Sequence, residues 1–143
     1  MLIGEYHHNL DSKGRLSVPI KFRAELGSSA IVTKGLDGCL FLYPKAEWEM
    51  MAQKLANLPV SSSSARAFSR LMLSGAMELD IDKLGRALLP GYLRDYADLR
   101  GEAVLSGVFN RVEIWDKQAW GEYSKQAEAS STENAEKLAE WEI

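Results

Sequence analysis

The chain carries one chemically suggestive pattern twice. An Asp-x-x-Gly-Arg stretch occupies residues 11–15 and again residues 82–86. The arginine guanidinium is a planar fork of N–H donors that fits a phosphate or the edge of a guanine. Glycine tolerates positive φ, and aspartate hydrogen-bonds the backbone ahead of it. Each motif therefore predicts a tight turn that lifts an arginine toward an anion.

The two copies differ in the cations around the arginine. Lys13 lies within the first turn, whereas Leu84 takes its place in the second and Lys83 stands one position earlier. Arg23, one helical turn beyond Pro19, is a further candidate phosphate contact. We therefore expect the first copy to bind an anion more strongly than the second. The candidate binding residues are Lys13, Arg15, Arg23, Lys83 and Arg86, with Asp11, Gly14, Asp82 and Gly85 forming the turns.

The same residues admit a purely structural interpretation. Asp11 faces Arg15 across its turn, as Asp82 faces Arg86. Either pair could be an ion pair that pins a hairpin, and such a pair at the surface contributes little to stability. Duplication favours a common fold before it favours a common function, so both interpretations stay open.

The repeat extends well beyond the two turns. Matched pairs in the same register, with one residue inserted in the second half, are Gly4/Gly75, Pro19/Pro90, Arg23/Arg94, Gly35/Gly107 and Trp48/Trp120. Two copies are too few for a solenoid, which needs about three units. A half of about 70 residues is marginal alone. We therefore expect a pseudo-two-fold pair that shares one core.

Apolar periodicity predicts an α+β chain with the same element order in each half. The first half has strands at 4–10 and 15–18, a helix at 19–26, two strands within 30–44 and a helix at 45–58. The second has strands at 76–81 and 86–89, a helix at 90–98, strands at 102–106 and 111–115, and a helix at 117–128. The domain division is a first repeat at 1–60, a linker helix within 61–73, a second repeat at 74–128, and an acidic tail at 129–143 that is either helix or coil.

The net charge of −3 is unevenly distributed. Residues 112–143 sum to −5, whereas residues 1–23 sum to +2. An acidic protein can therefore carry a local anion-binding surface. The single Cys39 lies in an apolar run, which predicts a buried, inert thiol in a cytosolic protein. No apolar run reaches the roughly 18 residues of a membrane span, and the N-terminus lacks a signal-peptide pattern.

Other chemistry finds little support in the sequence. His7 and His8 are adjacent on a predicted strand and so point to opposite faces, and no metal-ligand spacing is present. Glu78, Asp80 and Asp82 share a strand face that could bind a cation, although we interpret it as solvated. Trp48 and Trp120 are interpreted as equivalent helix anchors. Because no phosphate-binding loop, dinucleotide fingerprint or nucleophile motif occurs, we expect no enzyme, no cofactor, no metal and no small-molecule substrate.

The whole pattern resembles the MraZ family of bacterial transcriptional regulators. The residues that carry the resemblance are G-E-Y-x-x-x-L-D-S-K-G-R-L-S-V-P at 4–19, G-L-D-G-C-L-F-L-Y-P at 35–44 and L-D-I-D-K-L-G-R-A-L-L-P at 79–90. The resemblance covers nearly the whole chain up to about residue 128.

The resemblance implies two fused β-α-β units related to the AbrB-type swapped-hairpin DNA-binding fold. It also implies a closed homo-oligomeric ring that binds regularly spaced direct repeats of double-stranded DNA in the promoter of the division and cell-wall gene cluster. The protein would then be cytoplasmic and nucleoid-associated. Arg15, with Lys13 beside it, takes the role of the DNA-contacting arginine, and Arg86 is its counterpart. The competing hypothesis is an assembly protein whose ring binds a protein partner.

Overall fold

Two similar runs of strands and helices make up the computed structural model, which describes residues 1–142. The strands are β1 (Leu2–Asn9), β2 (Arg15–Ser17), β3 (Ser29–Lys34), β4 (Leu40–Pro44), β5 (Met77–Asp80), β6 (Arg86–Leu88), β7 (Glu102–Phe109) and β8 (Val112–Asp116). The α-helices are α1 (Ile20–Leu26), α2 (Lys45–Ala56), α3 (Ser63–Ser69), α4 (Gly91–Tyr96), α5 (Lys117–Ala129) and α6 (Ser131–Lys137). Each predicted strand and helix is present, with bounds that differ by a few residues.

The first strand of each half pairs with a strand of the other half. The main sheet is antiparallel and runs β1-β7-β8-β4-β3-β5. β1 pairs with β7 from Leu2 opposite Phe109 to Asn9 opposite Glu102, and β5 pairs with β3. The order reads the same from either edge when each strand is replaced by its counterpart in the other half. The predicted mixed α+β fold with helices on a sheet is therefore confirmed, and neither half completes its part of the sheet alone.

A second, two-stranded ribbon lies apart from the main sheet. It consists of β2 and β6, which pair antiparallel with Leu16 opposite Ala87. Each strand of the ribbon begins at the arginine of one Asp-x-x-Gly-Arg motif. The ribbon therefore joins the two motifs, although they are far apart in the sequence.

The main sheet separates two apolar clusters because successive side chains of a strand point to opposite faces. On β4, Leu40 and Leu42 enter one cluster, whereas Phe41 and Tyr43 enter the other. The larger cluster lies between the sheet, the ribbon and helices α1 and α4, and its members include Leu16, Phe22, Ala87 and Leu93. The core therefore draws on both halves at once.

Helices of both halves cover the smaller cluster, and those that end the first half are fixed to it by specific contacts. Ser62 caps α3 by accepting a hydrogen bond from the Ala65 amide, so the predicted linker helix within 61–73 is present and begins after a capping serine. α3 continues into a single π-helical turn, Arg70–Ser74, which buries Met72. The buried Thr33 hydroxyl donates to the Met72 carbonyl at 2.6 Å. These contacts fix the end of the first half onto the sheet.

The tail forms helix α6 and a short 3-10 turn, Ala139–Trp141, which settles the open alternative in favour of helix. Its side chains are exposed, including 70% of Trp141. Across residues 1–142, every helix is too short or too polar to cross a lipid bilayer.

Candidate nucleic-acid interface

The Asp11 carboxylate organises the first turn. Its Oδ1 accepts hydrogen bonds from the backbone amides of Lys13 and Arg15, both at 2.9 Å. Its Oδ2 accepts from Arg15 Nε at 2.6 Å. Gly14, with φ of +85°, donates its amide to the Asp11 carbonyl. One carboxylate therefore shapes the turn and sets the direction of the arginine.

The second turn repeats this geometry. Asp82 Oδ1 accepts from the amides of Leu84 at 3.0 Å and Arg86 at 2.8 Å, and its Oδ2 accepts from Arg86 Nε at 3.2 Å. Gly85 has φ of +79°. The two turns are thus alike in backbone and in bonding, although Leu84 stands where the first turn has Lys13.

These bonds favour the ionised form of both carboxylates. The Arg15 amide, aided by the guanidinium of the same residue, lowers the pKa of Asp11 to about 2. The Arg86 amide likewise lowers the pKa of Asp82. Each ion pair engages only Nε of its arginine, and no partner of the terminal Nη groups occurs within residues 1–142. The ion pairs therefore orient the arginines and leave their outer donors free.

Both arginines lie on the same face of the ribbon. Arg15 is opposite Leu88, and Arg86 is opposite Ser17. Because the intervening Leu16 and Ala87 point into the core, these four side chains share the outward face. Arg15 and Arg86 are diagonal neighbours in the register, a relation that places residues about 7–8 Å apart. About a third of each side chain is exposed, 32% and 33%.

The two lysines lie on the turns from which the ribbon strands begin. Lys13 and Lys83 are exposed on their turns, and neither forms an ion pair with a carboxylate of the described chain. Each turn therefore carries two cations against one carboxylate. The result is a positive outward face on a protein whose net charge is negative.

Arg23, the further candidate phosphate contact on α1, lies against the turn of the other half. Its Nε donates to the Val18 carbonyl at 2.7 Å, and its guanidinium lies against Gly85 of the other half. Arg94 does the same in reverse, since its Nε donates to the Leu89 carbonyl at 3.0 Å and its guanidinium lies against Gly14. Sequence reasoning assigned no role to Arg94, although its match with Arg23 in the repeat was a usable signal.

The remaining candidates have structural partners. Glu78 accepts from Lys45 at 2.8 Å and from the Ser29 hydroxyl at 2.7 Å, so this part of the acidic strand face is paired. Trp48 and Trp120 pack against the smaller apolar cluster. Cys39 is buried, and burial raises the pKa of its thiol far above the usual range. Within residues 1–142, no three His, Cys, Asp or Glu side chains are grouped as a metal site would require.

Comparisons with known proteins find similarity to one family along the whole chain. A family model described as "MraZ protein, putative antitoxin-like" matches residues 1–71 and again residues 72–141. The chain is 54% identical over 140 residues to "Transcriptional regulator MraZ" of Desulforamulus reducens, which covers 98% of this chain and 99% of the relative. It is 50% identical over 143 residues to the proteins of the same name from Natranaerobius thermophilus and Moorella thermoacetica, with both chains covered in full. The chain therefore belongs to the MraZ family.

Proposed function

We propose that this protein is a transcriptional regulator that binds double-stranded DNA with the outward face of the β2–β6 ribbon. The observation that carries the proposal is the placement of Arg15 and Arg86 on one face, with their outer donors free. The major groove of B-DNA admits a two-stranded β-ribbon, and other regulators use strands in this way. The names of the relatives support the same role.

The side chains then divide the work. Arg15 and Arg86 contact base edges or phosphates with their terminal Nη groups, while Lys13 and Lys83 contact phosphates at the ends of the ribbon. Asp11 and Asp82, with Gly14 and Gly85, hold the turns. Arg23 is assigned the support of a turn, because its guanidinium lies against the backbone of Gly85.

One chain offers few cations, so we propose that affinity comes from a ring of identical subunits. Each would be an AbrB-like pair of repeats, 1–60 and 74–128, joined by the linker helix within 61–73, with residues 129–143 as a tail. Binding at regularly spaced direct repeats, as the family resemblance implies for the division and cell-wall promoter, gains about 10²-fold or more through effective concentration. The protein then acts in the cytoplasm, on the nucleoid.

The alternative is an assembly protein whose ion pairs are purely structural. The observation in its favour is that both pairs do form, with Arg15 Nε 2.6 Å from Asp11. The two functions differ in what the outer donors of the arginines do, so the test must remove those donors and retain the fold.

The test is fluorescence anisotropy on DNA from upstream of the protein's own gene cluster, with Arg15→Ala and Arg86→Ala. We expect each to weaken binding by about 5- to 150-fold, the range for loss of a bidentate base contact. Arg70→Ala is the matched control, since Arg70 is exposed on the π-helical turn away from the ribbon. Circular dichroism and native mass spectrometry check that fold and subunit number persist. Unchanged binding by both folded variants would reject the proposed contact through the two arginines and make their ion pairs purely structural.

A further inference from the structure

Each half of the chain places an arginine beneath the turn of the other half. A Cβ added to Gly14 would fall 2.6 Å from Arg94 Cζ, and one added to Gly85 would meet the Arg23 guanidinium more closely still. Both glycines are buried. The turn backbone therefore rests directly on a guanidinium that comes from the opposite repeat.

Backbone hydrogen bonds tie each arginine to the turn that it supports. The Val18 amide donates to the Gly85 carbonyl at 2.7 Å, while the Val18 carbonyl accepts from Arg23 Nε. The same set of hydrogen bonds occurs around Arg94. The Leu89 amide donates to the Gly14 carbonyl at 3.1 Å, and the Leu89 carbonyl accepts from Arg94 Nε. Arginine, strand end and opposite turn thus form one bonded unit, and the unit occurs twice.

We propose that Arg23 and Arg94 are positioning residues that act across the repeat boundary. Arg23 holds the second turn and so orients Arg86, whereas Arg94 holds the first turn and so orients Arg15. Their relevance to DNA rests on the proposed function, but their hold on the turns does not. The two binding turns are therefore not independent modules, because each is built on a side chain of the other half.

Arginine suits this position for two reasons. Its planar guanidinium can lie flat against a glycine, where no Cβ intervenes, while its Nε still donates to a carbonyl. A lysine has one terminal ammonium and no Nε donor, so it cannot make both contacts in this geometry. Replacement of either residue by lysine should then loosen the opposite turn although the positive charge is retained.

The first experiment is amide hydrogen exchange on the DNA-free protein, with Arg23→Lys, Arg23→Met, Arg94→Lys and Arg94→Met. Both Arg23 variants should speed exchange at Leu84 and Arg86, whose amides donate to Asp82, by about tenfold or more. Lys13 and Arg15 amides should change little. The Arg94 variants should show the reverse pattern. Lys21→Met is the matched control, since Lys21 is exposed on the same helix as Arg23.

The second experiment is a pair of double-mutant cycles for DNA affinity. Arg23→Met should add little to Arg86→Ala, because the side chain that it positions is already gone, but should multiply the loss caused by Arg15→Ala. Arg94→Met should couple to Arg15→Ala and not to Arg86→Ala. If a methionine variant fails to fold, the lysine variant takes its place in the cycle.

Each outcome decides a separate point. Faster exchange at the turn of the same half, or no change at either turn, overturns the positioning role. Arg23 and Arg94 would instead be phosphate contacts if two results were found together. The lysine variants would keep full DNA affinity, and each methionine variant would multiply the loss caused by Arg15→Ala and also that caused by Arg86→Ala. Crossed exchange in a protein whose Arg15→Ala and Arg86→Ala variants bind DNA normally would uphold the positioning role and reject the proposed function.

Discussion

The two halves match closely at their turns and differ at the helices with which they end. Both turns share one pattern of hydrogen bonds, and each lies on an arginine of the other half. The first half ends in α3 and a π-helical turn that bury Met72, whereas the second ends in α6, which is exposed. The two halves are therefore most similar in structure where they contact each other, and least similar at the helices that end them.

The largest effect should come from the core that the halves share. Phe22 on α1 and Leu93 on α4 occupy equivalent positions and are fully buried in the same cluster. Phe22→Ala should lower the free energy of unfolding by about 3–5 kcal/mol and Leu93→Ala by about 2–5 kcal/mol. Urea denaturation followed by circular dichroism should show one transition for both. Two separate transitions would mean that the halves unfold independently.

The terminal helices offer a sharper contrast. Met72→Ala should cost about 2–5 kcal/mol of unfolding free energy, because Met72 is buried against the sheet. Leu138→Ala should cost less than about 0.5 kcal/mol, because Leu138 lies in the exposed tail. Thermal unfolding of the two variants measures both effects. Equal losses would show that the tail is packed against the fold as closely as the π-helical turn is.

The turns can be made more alike or less alike by one substitution each. Leu84→Lys gives the second turn a cation at the position of Lys13, and Lys13→Leu removes it from the first. The slope of log affinity against log salt should steepen by about 0.9 in Leu84→Lys and flatten by about 0.9 in Lys13→Leu, one phosphate each. Anisotropy titrations at several salt concentrations measure the slopes. No change in either would mean that these positions do not face DNA.

The smallest effect concerns acid stability. Since folding lowers the pKa of Asp11 from 3.8 to about 2, its ionised form favours the folded state. That stabilisation is fully present above pH about 4 and is lost as pH falls toward 2. Asp82 shifts in the same direction. Amide chemical shifts of Arg15 and Arg86 should follow these titrations, and Asp11→Asn should remove the Arg15 transition while leaving that of Arg86. A midpoint near 4 in the wild type would contradict the bonding at the turn.

Local patterns predicted much of this structure, and long-range pairing explains what they missed. Gly14 and Gly85 marked the turns, and alternation around Leu16 and Ala87 marked the ribbon strands. Nothing in the local sequence indicates that β1 pairs with β7, because strand partners are chosen by the whole fold. The position of Arg23 against Gly85 was not predictable for the same reason, since only the pairing of β2 with β6 brings the two residues together. Whether α6 is buried or exposed likewise depends on the packing of the whole fold and not on the local sequence.

The pairing of strands between the two halves also affects the order in which the chain folds during synthesis. β1 is made first, yet its partner β7 is completed only at Phe109. A nascent chain therefore carries β1 without its partner strand until most of the protein has left the ribosome. Such distant pairings are slow to form because loop-closure entropy opposes them. We expect this protein to fold late in synthesis and as a whole. Its first repeat alone would leave β1 without its partner and able to pair with strands of other chains.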